Sequence, residues 1–354
     1  MKKMLALLLV LALCVPFFAA CDSSHQIGPD SGGNSSEEET SSTKKTEATQ
    51  EETTAAETET ETETETQSIY SEGLEFTSNG DGTCYVSGIG ECKDTDVLIP
   101  VSSPAGDRVV GIGNAAFNFC EHLNSVVIPD GVTSIGIDAF QDCDRLTSIT
   151  IPDSVTVIEA EAFESCSNIC YIDIPNSVKS IGDYAFWGCD GLVSVTIPDG
   201  VTNIGAYAFT GCQSLSSVYI SDSVTSIGEY AFYTCGIESI TVDPENSSYM
   251  SIDGNLYTKD GKTLLQYSRY NRNESFIIPD GVTRIENGAL EVSPYLKFIV
   301  IPDSVTSIGL HAISYCEFLS NVYYTGSEED WKAINIEYQY HFYATIHYDY
   351  RPEQ

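Results

Sequence analysis

The sequence predicts an α/β solenoid of about 23 residues per coil, with parallel strands on the concave face, short helical turns on the other side and one small β-hairpin insertion. Three observations carry this prediction. Ile128, Ile151, Ile174, Ile197 and Ile220 recur at a constant step of 23, each but the last followed by proline. Phe117, Phe140, Phe163, Phe186, Phe209 and Phe232 keep the same step, and so do Cys120, Cys143, Cys166, Cys189, Cys212 and Cys235. Within each unit the apolar residues first alternate and then cluster around an Ala-Phe pair. A fixed period in this range marks an array in which each unit borrows its missing core from its neighbours.

In chain order, Met1-Lys2-Lys3, the apolar stretch Met4 to Phe18 and the small residues before Cys21 read as an export signal over residues 1–20. The apolar run is shorter than the ~20 residues of a spanning helix. A cysteine directly after small residues resembles the lipobox of bacterial lipoproteins, with Phe18 where leucine is usual, and implies Cys21 as a lipidated N-terminus. Residues 21–68 are rich in Ser, Thr and Glu and end near ETETETETET, which predicts a disordered acidic stalk with a reach of about 35–40 Å.

Residues 69–110 are expected to cap the array, residues 111–322 to form it, and residues 323–354 to close it. Inside one coil, Leu146, Ile149 and Ile151 alternate as in a short strand, Pro152-Asp153 turns the chain, and Val155 to Ile158 is a second extended piece. Gly136, Gly182, Gly205 and Gly228 fall where a turn calls for conformational freedom, ahead of a single helical turn bearing Ala-Phe and the cysteine. The pattern L-x-x-I-x-I fits a leucine-rich repeat. The unit LTSITIPDSVTVIEAEAFESC resembles the BspA-type leucine-rich repeat of bacterial surface proteins, and the likeness covers most of residues 80–345.

The step breaks between Ile220 and Ile278, where 35 extra residues form an irregular β insertion at about 236–275. Asp253-Gly254 and Asp260-Gly261 read as hairpin turns, and the insertion is expected to stand out from the rod. Ala289 and Ala312 resume the helical column. Near the C-terminus, Trp331 and its tyrosines are expected to form a lid over the last apolar layer.

The cysteine column suits buried free thiols, because its members follow Ala-Phe on the inward side, with a metal or disulfide ladder as the alternative. Cys84 and Cys92, outside the column, are the better candidates for a disulfide. Asp130, Asp153, Asp199, Asp222, Asp280 and Asp303 form an acidic column, expected to close turns by accepting backbone N–H bonds, with calcium bridging as the alternative. Ser148, Thr150, Tyr171, Asp173, Ser194, Thr196, Ser217 and Tyr219 point outward from the strands and form the candidate ligand surface. Tyr184, Tyr207 and Tyr230, with Trp187 and Tyr233, make a second aromatic line on the helical side, shielding the core or stacking carbohydrate.

The chain carries a net charge of −36, of which residues 68–354 hold −27, so nucleic acid and anionic lipid surfaces are repelled. No G-x-S-x-G, H-E-x-x-H or phosphate-binding loop occurs, and no histidine recurs with a nucleophile, so an enzyme is not expected and no cofactor is called for beyond that calcium. The resemblance implies a lipid-anchored module on the bacterial cell surface that adheres to an extracellular protein or glycan. A spacer of the cell envelope without a specific ligand is the rival reading. The oligomeric state is open.

Overall fold

The computed structural model describes residues 70–337 and 343–351. The export signal, the stalk and Cys21 lie outside the described residues. Most coils contribute to two parallel ladders. One is the outward-facing strand of the L-x-x-I-x-I pattern: Asp96–Leu98, Ser125–Val127 and Ser148–Thr150 form one sheet, and Ser194–Ile197, Ser217–Ile220 and Ser239–Val242 another. The other is a two-residue piece ending in isoleucine: five of these, from Ser134–Ile135 to Ser226–Ile227, follow Glu75–Ser78, Thr83–Gly88 and Arg108–Ile112 in an eight-stranded sheet. Register is strict, because a slip of one residue would turn the buried face outward: Val126 pairs Ile149 and Val195 pairs Val218.

The third side of each coil departs from the predicted helix. Residues around Ala-Phe form tight turns, with left-handed backbone at every fourth position, as at Asp138 and Asp142 (φ +55° and +54°) and at Glu161 and Ser165 (both +58°). Those positions aim alternate N–H groups along the stack instead of along a helix axis. Phe140 N donates to Ala162 O at 2.9 Å and Phe163 N to Ala185 O at 2.8 Å. Where the strand ladder is continuous, the coil is therefore hydrogen-bonded to its neighbour on all three sides, which satisfies backbone groups that a lone helical turn would leave bare.

Gly182, Gly205 and Gly228 have ordinary negative φ, contrary to the expected turn freedom. Their role is close approach. A Cβ on Gly182 would sit 2.4 Å from Ala160 N, and one on Gly228 2.3 Å from Ala206 N.

The phenylalanines form a continuous stack, with ring centroids 5.0–5.6 Å apart and planes within 9°. Beside it, each column thiol from Cys143 onward donates to the carbonyl of the phenylalanine one coil back: Cys143 Sγ to Phe117 O at 3.1 Å, Cys189 Sγ to Phe163 O at 3.2 Å, Cys235 Sγ to Phe209 O at 2.8 Å. Burial pushes the Cys120 and Cys189 thiols up to about 12. Cys84 and Cys92, expected as a disulfide, are both free thiols. Cys84 points into the core and donates to Asp107 O at 3.4 Å, and Cys92 lies close enough to Cys120 to act on it electrostatically. The two are thus engaged with different neighbours.

This arrangement has a measurable consequence. In native protein at pH 8 the column thiols should react with a thiol reagent roughly a hundredfold more slowly than in denaturant. At Cys120 and Cys189 the native state also keeps protons that an unfolded thiol releases above about pH 8.5. Stability from this source is fully present below that pH and is lost as pH rises toward 12. Equal labelling of native and denatured protein would refute the arrangement.

The hairpin turns fall where expected: Tyr249–Ile252 pairs antiparallel with Asn255–Thr258 across Asp253-Gly254, and Asn255–Thr258 with Thr263–Gln266 across Asp260-Gly261. The insertion does not stand out from the rod. Thr263–Gln266 continues in parallel onto Arg284–Ile285, and Leu264, Tyr257 and Tyr267 enter the core of the following coils. The reason is that the apolar side of these strands covers a coil end that would otherwise be bare. Asn246, fully buried, joins the two parts: its Nδ2 donates to Ser221 O and Val224 O, and its Oδ1 accepts from Ser248 N and Tyr249 N.

At the C-terminal end the helix Glu328–Ala333 starts with a capping box of Ser327 and Asp330. Trp331 is buried edge-on against Tyr324 at 5.2 Å, while Asn335–Ile336 and Thr345–His347 add a last strand to each ladder.

Candidate functional site

The outward columns of the strand ladder bring the predicted surface residues together. Ser148, Ser194 and Ser217 occupy one column, and Thr150, Thr196 and Tyr219 the next. Between them, the coil carrying Tyr171 and Asp173 has no strand, so the ladder is interrupted there. Both ladder neighbours of this coil present serines, 23 residues before and after Tyr171. Small neighbours leave the phenol ring standing clear, at 62% exposure. Partial burial and the nearby Asp173 carboxylate push its hydroxyl up.

Tyr219 is differently placed. Its hydroxyl donates to Asp243 Oδ2 at 2.8 Å, and Asp243 Oδ1 accepts from Glu245 N at 2.8 Å. The hydrogen bond to Asp243 raises the phenol, while the Glu245 N–H and then the phenol itself lower the carboxylate. Tyr219 is therefore held on the protein, whereas Tyr171 is not.

The acidic column does not close turns. Asp130, Asp153, Asp199, Asp222, Asp280 and Asp303 are all exposed, and none accepts a backbone N–H. Serines one coil further on do that work. Ser154 Oγ accepts from Gly131 N at 2.9 Å and donates to Val132 O at 2.7 Å, and Ser304 repeats the pair with Gly281 and Val282. A hydroxyl can do both because it is donor and acceptor, which a carboxylate is not. Among the described residues no group of three His, Cys, Asp or Glu side chains is disposed to hold a metal ion.

The second aromatic line is a ring stack. Tyr184 and Tyr207 lie 4.9 Å apart and Tyr207 and Tyr230 5.2 Å apart, while Tyr233 meets Tyr230 edge-on. Their faces cover one another, which leaves little for a sugar to stack on.

Sequence reasoning missed one polar cluster. Arg269, only 2% exposed, lies over the Tyr233 ring at 5.8 Å, near the buried Glu291. Burial raises the Glu291 carboxyl, against the pull of Tyr233, His311 and Arg269. None of these residues sits in a repeating column of charge, so the period carries no signal for them.

Stacked coils with in-register parallel strands and an open outward face define a leucine-rich-repeat solenoid. The BspA-type leucine-rich repeat region matches residues 104–200, 179–319 and 266–333, and the chain belongs to that family. A leucine-rich cell surface protein of Faecalibacterium prausnitzii is 27% identical, with 75% of this chain and 96% of that one covered and a TM-score of 0.56. Two further structures share the fold. The pneumococcal vaccine antigen PcpA is 22% identical over 72% of this chain and 69% of its own, with a TM-score of 0.64. A leucine-rich repeat protein of Eubacterium ventriosum is 24% identical over 72% and 71%, with a TM-score of 0.53. No curated protein matches the chain significantly. Among the described residues no helix is long and apolar enough to cross a membrane.

Proposed function

We propose that this chain is a binding module displayed on the bacterial cell surface, anchored through lipid on Cys21, that adheres to an extracellular protein or glycan through its strand face. The observation that carries the reading is the side-chain chemistry of that face: hydroxyls in register on either side of a free-standing tyrosine, with no basic side chain among its outward positions from Ser148 to Tyr219. Tyrosine offers contact area at low entropic cost and serine offers adaptable hydrogen bonds. The family and the cell-surface description of the Faecalibacterium protein support the location.

The test is binding of the protein to bacterial cells, host cells and matrix proteins, native against a Tyr171→Ala, Tyr219→Ala double variant. A loss of about tenfold or more is expected, as for truncation of an aromatic anchor. Unchanged binding removes the strand face from the reading, and no binding by the native protein to any of these supports a spacer instead.

A further inference from the structure

The hydroxyls of this solenoid fall into two groups. Those at the start of the two-residue ladder are committed: Thr133, Thr156, Thr202 and Thr225 each donate to a carbonyl one coil back, at 3.1–3.2 Å. Around the interruption of the strand face the reverse holds. Among the described residues Ser148, Thr150, Tyr171, Asp173, Ser194 and Thr196 make no side-chain hydrogen bond, and Tyr171 makes no ring contact. Polar groups with every bonding position open thus surround one ring with open faces.

We infer that this interruption of the ladder is a subsite for an uncharged pyranose of a glycan. The inference rests on the strand-face reading above and names its ligand class. A pyranose presents C–H groups on its faces and hydroxyls around its rim. The C–H groups suit the electron-rich face of a phenol ring. The rim needs groups that both donate and accept, which Ser148, Thr150, Ser194 and Thr196 supply, and Asp173 accepts from two neighbouring hydroxyls at once. A protein partner fits less well, because interface cores are apolar and these outward columns hold no aliphatic side chain between Ser148 and Thr196. Charge selects among sugars. Asp173 is on the site, exposed Asp153 and Asp199 flank its coils, and the domain around it is acidic, so uronic and sialic acids are repelled.

The experiment immobilises the full-length protein and measures binding of defined neutral polysaccharides (glucans, mannans, galactans) and of anionic ones (alginate, hyaluronan) at physiological salt. At least one neutral polysaccharide is expected to bind and the anionic ones to bind at least tenfold more weakly. Tyr171→Ala should lower that binding at least tenfold, Tyr171→Phe should stay within about threefold of native, and Asp173→Asn should weaken it severalfold. An unchanged melting temperature of the variants, expected for exposed positions, separates loss of the site from loss of the fold. Glycan binding that survives Tyr171→Ala, or anionic sugars bound as well as neutral ones, overturns the inference. If no neutral glycan binds while a protein ligand does, and Tyr171→Ala weakens that protein, the inference fails and the binding module stands. If nothing binds, both fail.

Discussion

Replacing Phe163 with alanine is expected to destabilise the array by about 3–5 kcal/mol, the usual cost of emptying a large buried aromatic site. Phe163 has no exposed surface and lies between Phe140 and Phe186, 5.3 Å from each with planes 2° and 6° apart. Two stacked pairs are lost together with the apolar contact, each worth about 0.5–1.5 kcal/mol beyond area. Relaxation fills the gap poorly, because the neighbouring turns are pinned to the Phe163 turn by the backbone bonds Phe140 N to Ala162 O and Phe163 N to Ala185 O. Chemical denaturation followed by circular dichroism measures the effect, and Phe119→Ala, at a ring 66% exposed, serves as the control near zero. A loss below about 1 kcal/mol for Phe163→Ala would mean that the stacked core does not hold the coils together.

Asn246→Ala should act on cooperativity as well as stability. All four hydrogen-bonding positions of this amide are filled, at 2.7, 3.0, 2.8 and 2.8 Å. Alanine leaves two carbonyls and two N–H groups unpaired in a buried place, about 3–5 kcal/mol when each orphan costs about 1–3 and part is recovered by water. These bonds tie the last regular coil, at Ser221 and Val224, to the first strand of the insertion, at Ser248 and Tyr249. Nearest-neighbour coupling makes a repeat array cooperative, so cutting the link should let the insertion and the coils after it open separately from the coils before it. Hydrogen exchange that shows two groups of amides with different opening free energies in the variant, and one group in the native protein, is the expected result. A single cooperative unit in both would show that Asn246 is not the tie.

Most of the architecture is legible in the period alone. A side chain that returns every 23 residues must return to the same place in a stack, so the columns of isoleucine, phenylalanine and cysteine announce themselves. The form of the turn is not legible, since Ala-Phe-x-x-Cys suits one turn of helix as well as a left-handed double turn bonded to the next coil. The acidic column shows the same limit. Asp130 and Ser154 both sit beside a turn, and only the geometry shows that the serine of the following coil closes it. Residues present once, such as Asn246, Arg269 and Glu291, escape a reading built on recurrence altogether. On the strand face, the sequence names the residues but not the gap in the ladder that sets Tyr171 apart, because an absence of pairing is a property of backbone position.

The thiol ladder bears on how such a protein could mature outside the cytoplasm. A row of cysteines in an oxidising medium invites scrambled cross-links between chains. Here five thiols of the column, from Cys143 to Cys235, are tied to a carbonyl inside the wall, as with Cys166 on Phe140 and Cys212 on Phe186. For these five buried thiols the hazard of oxidation is confined to the interval before the coils close over their sulfur.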